Sequence, residues 1–382
     1  MSFLHNFSAL GYGVIVYTIP FLCVLTVIVF IHELGHFLVA RWAGVKVLTF
    51  SIGFGPELAG FNDRHGTRWK LSAIPLGGYV KFFGDESEAS TPSAEALAGM
   101  SEQERAVSFH HKKVAPRAAI VAAGPIANFL LAIAIFTCVF TFFGKPVMTA
   151  RVDQVEPNSA AAAAGFQVGD IVTSIDGQHI GTFSDMQWIV STHPAEKLNF
   201  TVKRGDAQVQ IEATPELRER KDTLGNVSRG GVLGITRQNA ASDTVTEPVN
   251  PATALWLGVK QTWQVVERTF VMVGGIFTGR QSADQVSGAI GIAKLSGQVA
   301  STGGLFGIVE LVAFLSISIG LLNLFPVPLL DGGHLLYYAI EAVRGRPMSE
   351  RAQEVGFRIG LAFVVLLMVF ATYNDILRLA KS

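Results

Sequence analysis

Charged side chains are scarce in this sequence and are missing from its start. Asp, Glu, Lys and Arg make up 16% of the 382 residues, whereas ordinary soluble domains contain about 25%. None of these residue types occurs before Glu33, and hydrophobic residues reach 49% of the chain. This composition predicts a membrane protein with several spans and a soluble insert, and it argues against a wholly soluble chain.

The sequence also lacks a basic excess and a cysteine framework. Its 30 Lys and Arg residues equal its 30 Asp and Glu residues, so the net charge gives no basis for binding nucleic acid, and we predict no such partner. The two cysteines, Cys23 and Cys138, both lie in apolar runs. They are interpreted as small hydrophobic packing residues and not as a disulfide or a pair of metal ligands.

Four apolar stretches are long enough to cross a bilayer, which takes about 20 residues of helix. The first has no basic segment before it and no small-residue cleavage site, so we expect a retained span and not a signal peptide. Lys and Arg concentrate between the first two and between the last two stretches, and such loops face the cytoplasm. The predicted spans are Val14–Ala40, Ala118–Phe143, Leu305–Phe325 and Val355–Thr372.

The segments around these spans divide the chain into four predicted parts. Residues 1–145 hold two spans, a glycine-studded β-hairpin at about 45–83 that re-enters the membrane beside a polar cavity, and a flexible cytoplasmic linker at about 84–117. The linker includes FHHKK at Phe109–Lys113, interpreted as a lipid headgroup anchor. Residues 146–240 form a soluble domain outside the cytoplasm. Residues 241–300 hold an amphipathic helix at Pro251–Gly279 and a connector, and residues 301–382 hold the last two spans.

The soluble domain resembles a PDZ domain of the bacterial protease type at about 150–237, present in one copy. Its run EPNSAAAAAGFQVGDIVTSIDGQHI predicts a short Ala-rich helix, a strand and a tight Asp-Gly turn, and a predicted hairpin follows. The predicted fold class is therefore a polytopic α-helical membrane protein with four transmembrane helices, a membrane-reentrant β-hairpin and an inserted α/β PDZ domain.

The polar run HELGH stands at the end of the first apolar stretch. A charged side chain deep in hydrocarbon costs about 2.5–3.5 kcal/mol, so such residues usually have a function. His32 and His36 are four residues apart, which places both on one helix face, about 5–6 Å from each other. Both imidazoles can therefore bind one Zn²⁺, while Glu33 at the rim of that face can reach a water as general base.

A catalytic zinc site usually has three protein ligands and a water, so a third ligand is expected. The run NLFPVPLLDGGH follows the third span, which reaches the cytoplasmic side just as the first span does. It offers Asp331 and His334. Asp331 is favoured because it directly follows the helix end that two prolines break, and His334 stays as the alternative. The sequence thus predicts one Zn²⁺ per chain.

Three motifs in a fixed order carry a family resemblance. HELGH, AGPIAN at Ala123–Asn128 and NLFPVPLLDGGH, with a PDZ insert between the second and the third, resemble the site-2 protease family of intramembrane zinc metalloproteases, in its regulator of sigma-E protease (RseP) branch. The resemblance implies zinc ligands and a general base at the positions above. It also implies that three residues contact the substrate near the metal, namely Asn323, Pro326 and Pro328.

The same resemblance implies a cellular role. The enzyme is expected in the bacterial cell inner membrane as a multi-pass monomer, with the PDZ domain periplasmic and the zinc site toward the cytoplasmic side. Its expected substrates are single-span membrane proteins, such as an anti-sigma factor already trimmed by another protease in a stress response, and remnant signal peptides. The activity would be regulated intramembrane proteolysis within the lipid bilayer.

Two other functions compete with a protease. A metal transporter would need polar residues at several depths, and beyond the site the spans offer mainly Glu310. A catalytically inactive PDZ scaffold would have no reason to keep a costly buried cluster. The metal-and-base set therefore favours the protease.

Overall fold

Four long apolar helices dominate the computed structural model, which describes residues 2–85, 99–147, 149–221, 227–237, 245–278 and 286–381. Within these residues, the helices long and apolar enough to cross a membrane are Val16–Trp42, Val114–Phe143, Ala289–Leu324 and Arg351–Ala380. The prediction of a multi-pass membrane protein with four such helices is confirmed, and each helix extends beyond its predicted span at one end or both.

The elements follow one another in three blocks. The first block contains α1 (Ser2–Trp42), β1 (Val47–Asn62), β2 (Arg68–Phe82), α2 (Glu102–Val107) and α3 (Val114–Phe143). The second contains β3 (Lys145–Val147), β4 (Gln154–Val155), α4 (Ala160–Ala164), β5 (Ile171–Ile175), β6 (Gln178–His179), α5 (Phe183–Thr192), β7 (Leu198–Arg204), β8 (Ala207–Ala213), β9 (Glu216–Lys221), β10 (Val227–Val232), β11 (Ile235–Thr236) and β12 (Val245–Glu247). The third contains α6 (Pro251–Phe277), α7 (Ala289–Leu324), α8 (Asp331–Arg344) and α9 (Glu350–Lys381).

The chain separates into two compact units. One comprises residues 1–136, 258–266 and 288–372, and the other comprises residues 137–257, 267–287 and 373–382. The first unit therefore contains most of the long apolar helices together with β1 and β2. The second contains the short strands and helices of the soluble segment.

Helices α1 and α7 pack through a small apolar cluster in the first unit. Val24 and Ile28 of α1 are almost fully buried, and they pack with Leu311 and Val312 of α7. The next residue along the same face of α1, one turn after Ile28, is His32. The packing that buries the apolar stripe of α1 therefore also turns its histidines toward the protein interior.

The segment at 45–83, predicted as a β-hairpin, forms more strand pairs than a simple hairpin does. Phe50 of β1 lies opposite Val80 and also opposite Trp69, both in β2. Each long strand is therefore bent and contributes two segments to the pairing, which widens the sheet. The ring of Phe50 stacks on Trp69 with 4.2 Å between centroids and meets Phe37 of α1 edge-on at 5.6 Å. This aromatic contact fixes the sheet against α1.

The structure describes part of the predicted linker at 84–117, including the short helix α2, and residues 86–98 lie outside the described part. Phe109 is 3% exposed and its ring stacks on that of Phe82. His110 contacts the buried Asp85 at 2.8 Å. Phe109 and His110 therefore contact the end of β2 and the residues that follow it, and the lipid headgroup anchor at Phe109–Lys113 stays a prediction.

A short amphipathic helix, α8, stands between the last two spans, where only a loop was expected. Its first turn carries Asp331, and Arg117 at the start of α3 donates to Glu341 of α8 at 2.5 Å. Both side chains are largely buried. Helix α7 begins at Ala289 inside the predicted connector and is interrupted at Gly304, whose φ of 56° is not helical.

The second unit contains an α/β domain in the predicted region. Its four-stranded sheet has the order β6-β5-β7-β8 and covers a core that includes Val172, Phe200 and Val202. Ser159 caps the short Ala-rich helix α4, which ends at Gly165 in the left-handed conformation. Residues 222–226 and 238–244 of this region lie outside the described part, as does Gly279 at the end of the predicted amphipathic helix.

The fully buried carboxylate of Asp170 forms an ion pair with the partly exposed Arg204 in this domain, and this pair generates a prediction. Burial raises the pKa of the Asp170 carboxyl, but hydrogen bonds from Arg204 and from the Gln167 N–H outweigh burial and lower that pKa below its usual value. The stabilisation is therefore present above the unfolded pKa of about 3.9 and is lost as pH falls through the folded-state pKa.

We expect Asp170→Asn to lower the free energy of unfolding of the domain by about 1–3 kcal/mol at pH 7, because hydrogen bonds to a charged group are lost. Hydrogen exchange of the β5 and β7 amides in the intact protein measures the change. Glu212→Gln is the matched control, since Glu212 pairs with Lys197 on the exposed surface, where such pairs contribute about 0–1 kcal/mol. Equal protection in both variants would contradict the prediction.

Candidate metal centre

Three donor atoms converge at the end of α1. Nε2 of His32 lies 3.2 Å from Nε2 of His36 and 3.1 Å from Oδ2 of Asp331. The distance from Nε2 of His36 to the same Oδ2 is 3.5 Å. Among the described residues these three form the one group of His, Cys, Asp and Glu side chains arranged to hold a metal ion. Their side chains are 10, 12 and 17% exposed.

The donor spacing fits a tetrahedral ion. Donors placed about 2.0–2.1 Å from one tetrahedral Zn²⁺ lie about 3.3–3.4 Å from one another, close to the distances above. The buried Oδ2 of Asp331 makes no hydrogen bond of good geometry although two imidazole nitrogens face it. A shared cation explains this convergence better than a hydrogen bond, and the residues present therefore fit zinc.

His36 is held in one tautomer by the backbone of α3. Its Nδ1 lies 2.9 Å from the carbonyl oxygen of Ile120. A carbonyl only accepts, so Nδ1 carries the proton and donates it. Nε2 is then left with its lone pair, which is the form that binds a metal.

His32 contacts α3 through a side chain. Its Nδ1 lies 3.2 Å from the amide of Asn128, which is fully buried. The backbone oxygen of Asn128 accepts a hydrogen bond from Ser316 of α7 at 2.9 Å. Helices α1, α3 and α7 therefore meet in a polar contact directly behind the first histidine.

Glycines on α1 and α3 allow the helices to approach closely enough for these contacts. A Cβ on Gly35 would lie 2.3 Å from the backbone oxygen of Ala123, and a Cβ on Gly124 would lie 2.3 Å from Nε2 of His36. Contacts that short do not occur, so both positions require glycine. Small residues where helices cross are typical of membrane proteins.

Asp331 reaches the histidines from a tight turn. The chain at Val327–Leu330 is closed by short-range backbone hydrogen bonds, and Asp331 is the first residue of α8. A Cβ on Gly332 would lie 2.3 Å from the oxygens of Leu324 and Phe325, and a Cβ on Gly333 would lie 2.2 Å from the oxygen of Val327. The two glycines of the DGGH run therefore let α8 start against the turn.

Glu33 lies beside the sheet. A Cβ on Gly78 of β2 would be 3.1 Å from Cγ of Glu33 and 2.9 Å from Cγ1 of Val29. Glycine at 78 thus makes room for the predicted base next to the strand. The residue after the first metal-donor histidine is therefore placed between the donor cluster and β2.

The alternative metal ligand and the predicted substrate-contact residues lie outside the donor cluster. His334 is not part of the three-residue donor group, so Asp331 is the residue that joins the histidines. Asn323 is half-buried on the last turn of α7. Pro326 is exposed, and Pro328 is packed beneath α9, where a Cβ on Gly360 would lie 3.2 Å from its nitrogen.

Sequence reasoning gave no role to Asn128, Gly124, Gly78 or Ser316. The AGPIAN run was noted as a motif, and its Gly-Pro pair with an Asn four residues after the glycine is unusual inside an apolar helix. A buried amide in a span is a signal that could have pointed to Asn128. Gly78 and Ser316 have no such signal, because their importance depends on which helix lies beside them.

Gly124→Ala generates a test of this geometry. We expect the added methyl group to displace the imidazole of His36 and to reduce bound metal by at least tenfold, measured by inductively coupled plasma spectrometry on purified protein. Gly274→Ala in α6 is the control, because a Cβ there meets nothing within 4 Å. Full metal content in Gly124→Ala would show that the donors do not converge as described.

Comparison with known proteins agrees with this site. The model of peptidase family M50 matches residues 20–367. A candidate zinc metalloprotease of Rhizobium meliloti is 50% identical over 361 residues, covering 94% of this chain and 96% of the relative. Metalloprotease MmpA of Caulobacter vibrioides is 38% identical over 392 residues, covering 96% of each.

One solved structure is similar to part of the chain. The PDZ domain of an SdrC-like protein from Listeria monocytogenes is 21% identical and covers 24% of this chain and 86% of its own, with a TM-score of 0.19. That score is too low to support an argument about the fold. The family model and the relatives match nearly the whole chain. They show that the chain belongs to peptidase family M50, the site-2 protease family, and is a zinc metalloprotease.

Proposed function

We propose that this metalloprotease cuts peptide bonds in or near the transmembrane segments of single-span membrane proteins. The observation that carries the proposal is the position of the donors. His32 and His36 lie inside a helix that can span the membrane, and Asp331 follows another such helix. Substrate bonds that reach these residues are therefore at or near membrane depth.

In this proposal His32, His36 and Asp331 hold one Zn²⁺ per chain. When bound, the ion would act as a Lewis acid and would lower the pKa of a coordinated water to about 7. Glu33 accepts the proton of the attacking water and later delivers it to the leaving amine. The Ile120 carbonyl keeps the His36 ring oriented throughout.

The sheet offers a place for the substrate backbone. A helical substrate must unwind before cleavage, and each exposed amide group then needs a partner. In the described pairing, residues 78–82 of β2 are bonded to β1 on one side, and Gly78 lies beside Glu33. An unwound substrate strand added along β2 would therefore pass the proposed base.

Asn323 is the proposed anchor for a further substrate carbonyl. It is half-buried, its side chain makes no hydrogen bond within the described residues, and it lies eight residues before Asp331. Pro326 and Pro328 are proposed to shape the substrate path by breaking α7 before the site. Pro328 also packs against α9, which supports a fixed path.

The orientation and the substrates are proposed on other grounds. Lys and Arg in the loops favour a cytoplasmic site and a periplasmic soluble domain. The compared relatives are all bacterial proteins, which supports a bacterial inner membrane. A trimmed anti-sigma factor and remnant signal peptides are the proposed substrates, since both are single spans without a bulky outer domain.

Glu33→Gln tests the proposed chemistry. We expect bound zinc to stay at the wild-type level and cleavage of a single-span reporter in proteoliposomes to fall by about 10³-fold or more, because the amide cannot accept the proton. Zinc content and cleavage are measured on the same preparation. His32→Ala is the companion variant and should lose both.

Retained cleavage in Glu33→Gln would contradict the role of Glu33 as general base. A protein that still moves zinc across the vesicle membrane in this variant, with no cleavage in the wild type, would instead identify a transporter. A wild-type protein that neither cleaves nor moves metal would be a scaffold.

Removing residues 150–237 tests the role of the soluble domain. We propose that it excludes membrane proteins with bulky outer domains, so its removal should leave cleavage of a pre-trimmed reporter unchanged and allow cleavage of the untrimmed one. Both reporters are compared in the same vesicles. Loss of cleavage of the trimmed reporter in a folded variant would show a docking module and not a filter.

A further inference from the structure

The amide of Asn128 is only half satisfied. The side chain is fully buried, and its nitrogen Nδ2 lies 3.2 Å from Nδ1 of His32. Its oxygen Oδ1 is buried without a hydrogen-bond partner. A buried carbonyl oxygen left unpaired costs about 1–3 kcal/mol, so an arrangement that pairs it is preferred.

The tautomer of His32 resolves the problem. Nε2 is the nitrogen that faces Asp331 and His36, and a nitrogen that binds a metal carries no proton. The proton of the neutral ring is then on Nδ1, which becomes a donor. Two donors facing each other at 3.2 Å repel, so the amide nitrogen cannot be the atom that faces Nδ1.

Rotation of the amide by 180° removes both defects. The nitrogen and oxygen of an Asn side chain have nearly the same shape, and their assignment depends on the hydrogen bonds. After rotation Oδ1 accepts the Nδ1 proton of His32, and the unpaired oxygen gains its partner. One change therefore satisfies two buried groups.

We propose that Asn128 is a positioning residue that fixes His32 as the Nδ1–H tautomer and aims Nε2 at the zinc position. The proposal rests on the zinc site of the proposed function and adds a residue that does not touch the metal or the substrate. Its task matches that of the Ile120 carbonyl, which accepts from His36. Both imidazoles are thus oriented by α3.

Helix α7 holds Asn128 in place. Ser316 donates to the backbone oxygen of Asn128, and a Cβ on Gly320 would lie 3.1 Å from the Cβ of Asn128. The backbone of α7 therefore packs against Asn128 and restricts the movement of this residue. Residues that orient a metal-bound imidazole usually change metal affinity by 10–100-fold when they are removed.

Zinc affinity of detergent-purified full-length variants tests the proposal, by competition with a chromophoric chelator. Asn128→Ala and the near-isosteric Asn128→Leu both lack an acceptor and should weaken zinc binding by 10–100-fold. Asn128→Asp keeps an oxygen that accepts from Nδ1–H and should stay within about threefold of the wild type. Rescue by Asp is the diagnostic result, because a packing role would favour Leu over Asp.

Asn374→Ala is the matched control, since Asn374 is also a buried amide in a span helix and bonds to the backbone of Val286. It should keep wild-type zinc affinity. Wild-type affinity in both Asn128→Ala and Asn128→Leu, or weaker binding in Asn128→Asp than in Asn128→Leu, overturns the positioning role. Failure of the zinc site itself is seen separately, as a wild-type protein without zinc or a His32→Ala variant that keeps it.

Discussion

The close approach of α1 to α3 is the contact on which the site depends. Gly35 lies against the backbone of Ala123, and Gly124 lies against the ring of His36. A side chain at either glycine would push the helices apart, and both imidazoles would lose their partners on α3. The aromatic packing of Phe50 and Phe37 then places the sheet, and with it Gly78, beside Glu33.

Polar groups at membrane depth must find partners inside the protein, because lipid offers none. The polar side chains of the site contact one another in succession, from the donors outward. The donors face one another, their outer ring nitrogens face α3, and α3 is in turn bonded to α7 through Ser316. The exposed side of the last helix is apolar instead, with Leu366, Met368 and Val369 well exposed. The three donors are thereby confined to the interior of the helix bundle.

Sequence reasoning was most successful where a short-range rule was enough. The spacing of HELGH places two imidazoles on one helix face, and four apolar runs predict four helices. It was weaker where long-range packing decides: Asp331 was preferred to His334 on a local argument, and α8 was missed. The sheet at 45–83 was expected to be a simple hairpin. Its β1 strand pairs with two separate segments of β2, and this double pairing produces no periodic pattern in the sequence.

The sequence by itself determined the membrane class, the metal-donor residue types and the family, since hydrophobic length, helical periodicity and motif order are local properties. Only the tertiary structure decided that Asp331 joins the histidines, that Gly124 and Gly78 must lack side chains, and that Asn128 stands behind His32. These are distances between helices far apart in the chain. These distances depend on how closely small residues allow two backbones to approach. The identity of a single residue does not specify that approach, because it does not show which helix lies beside it.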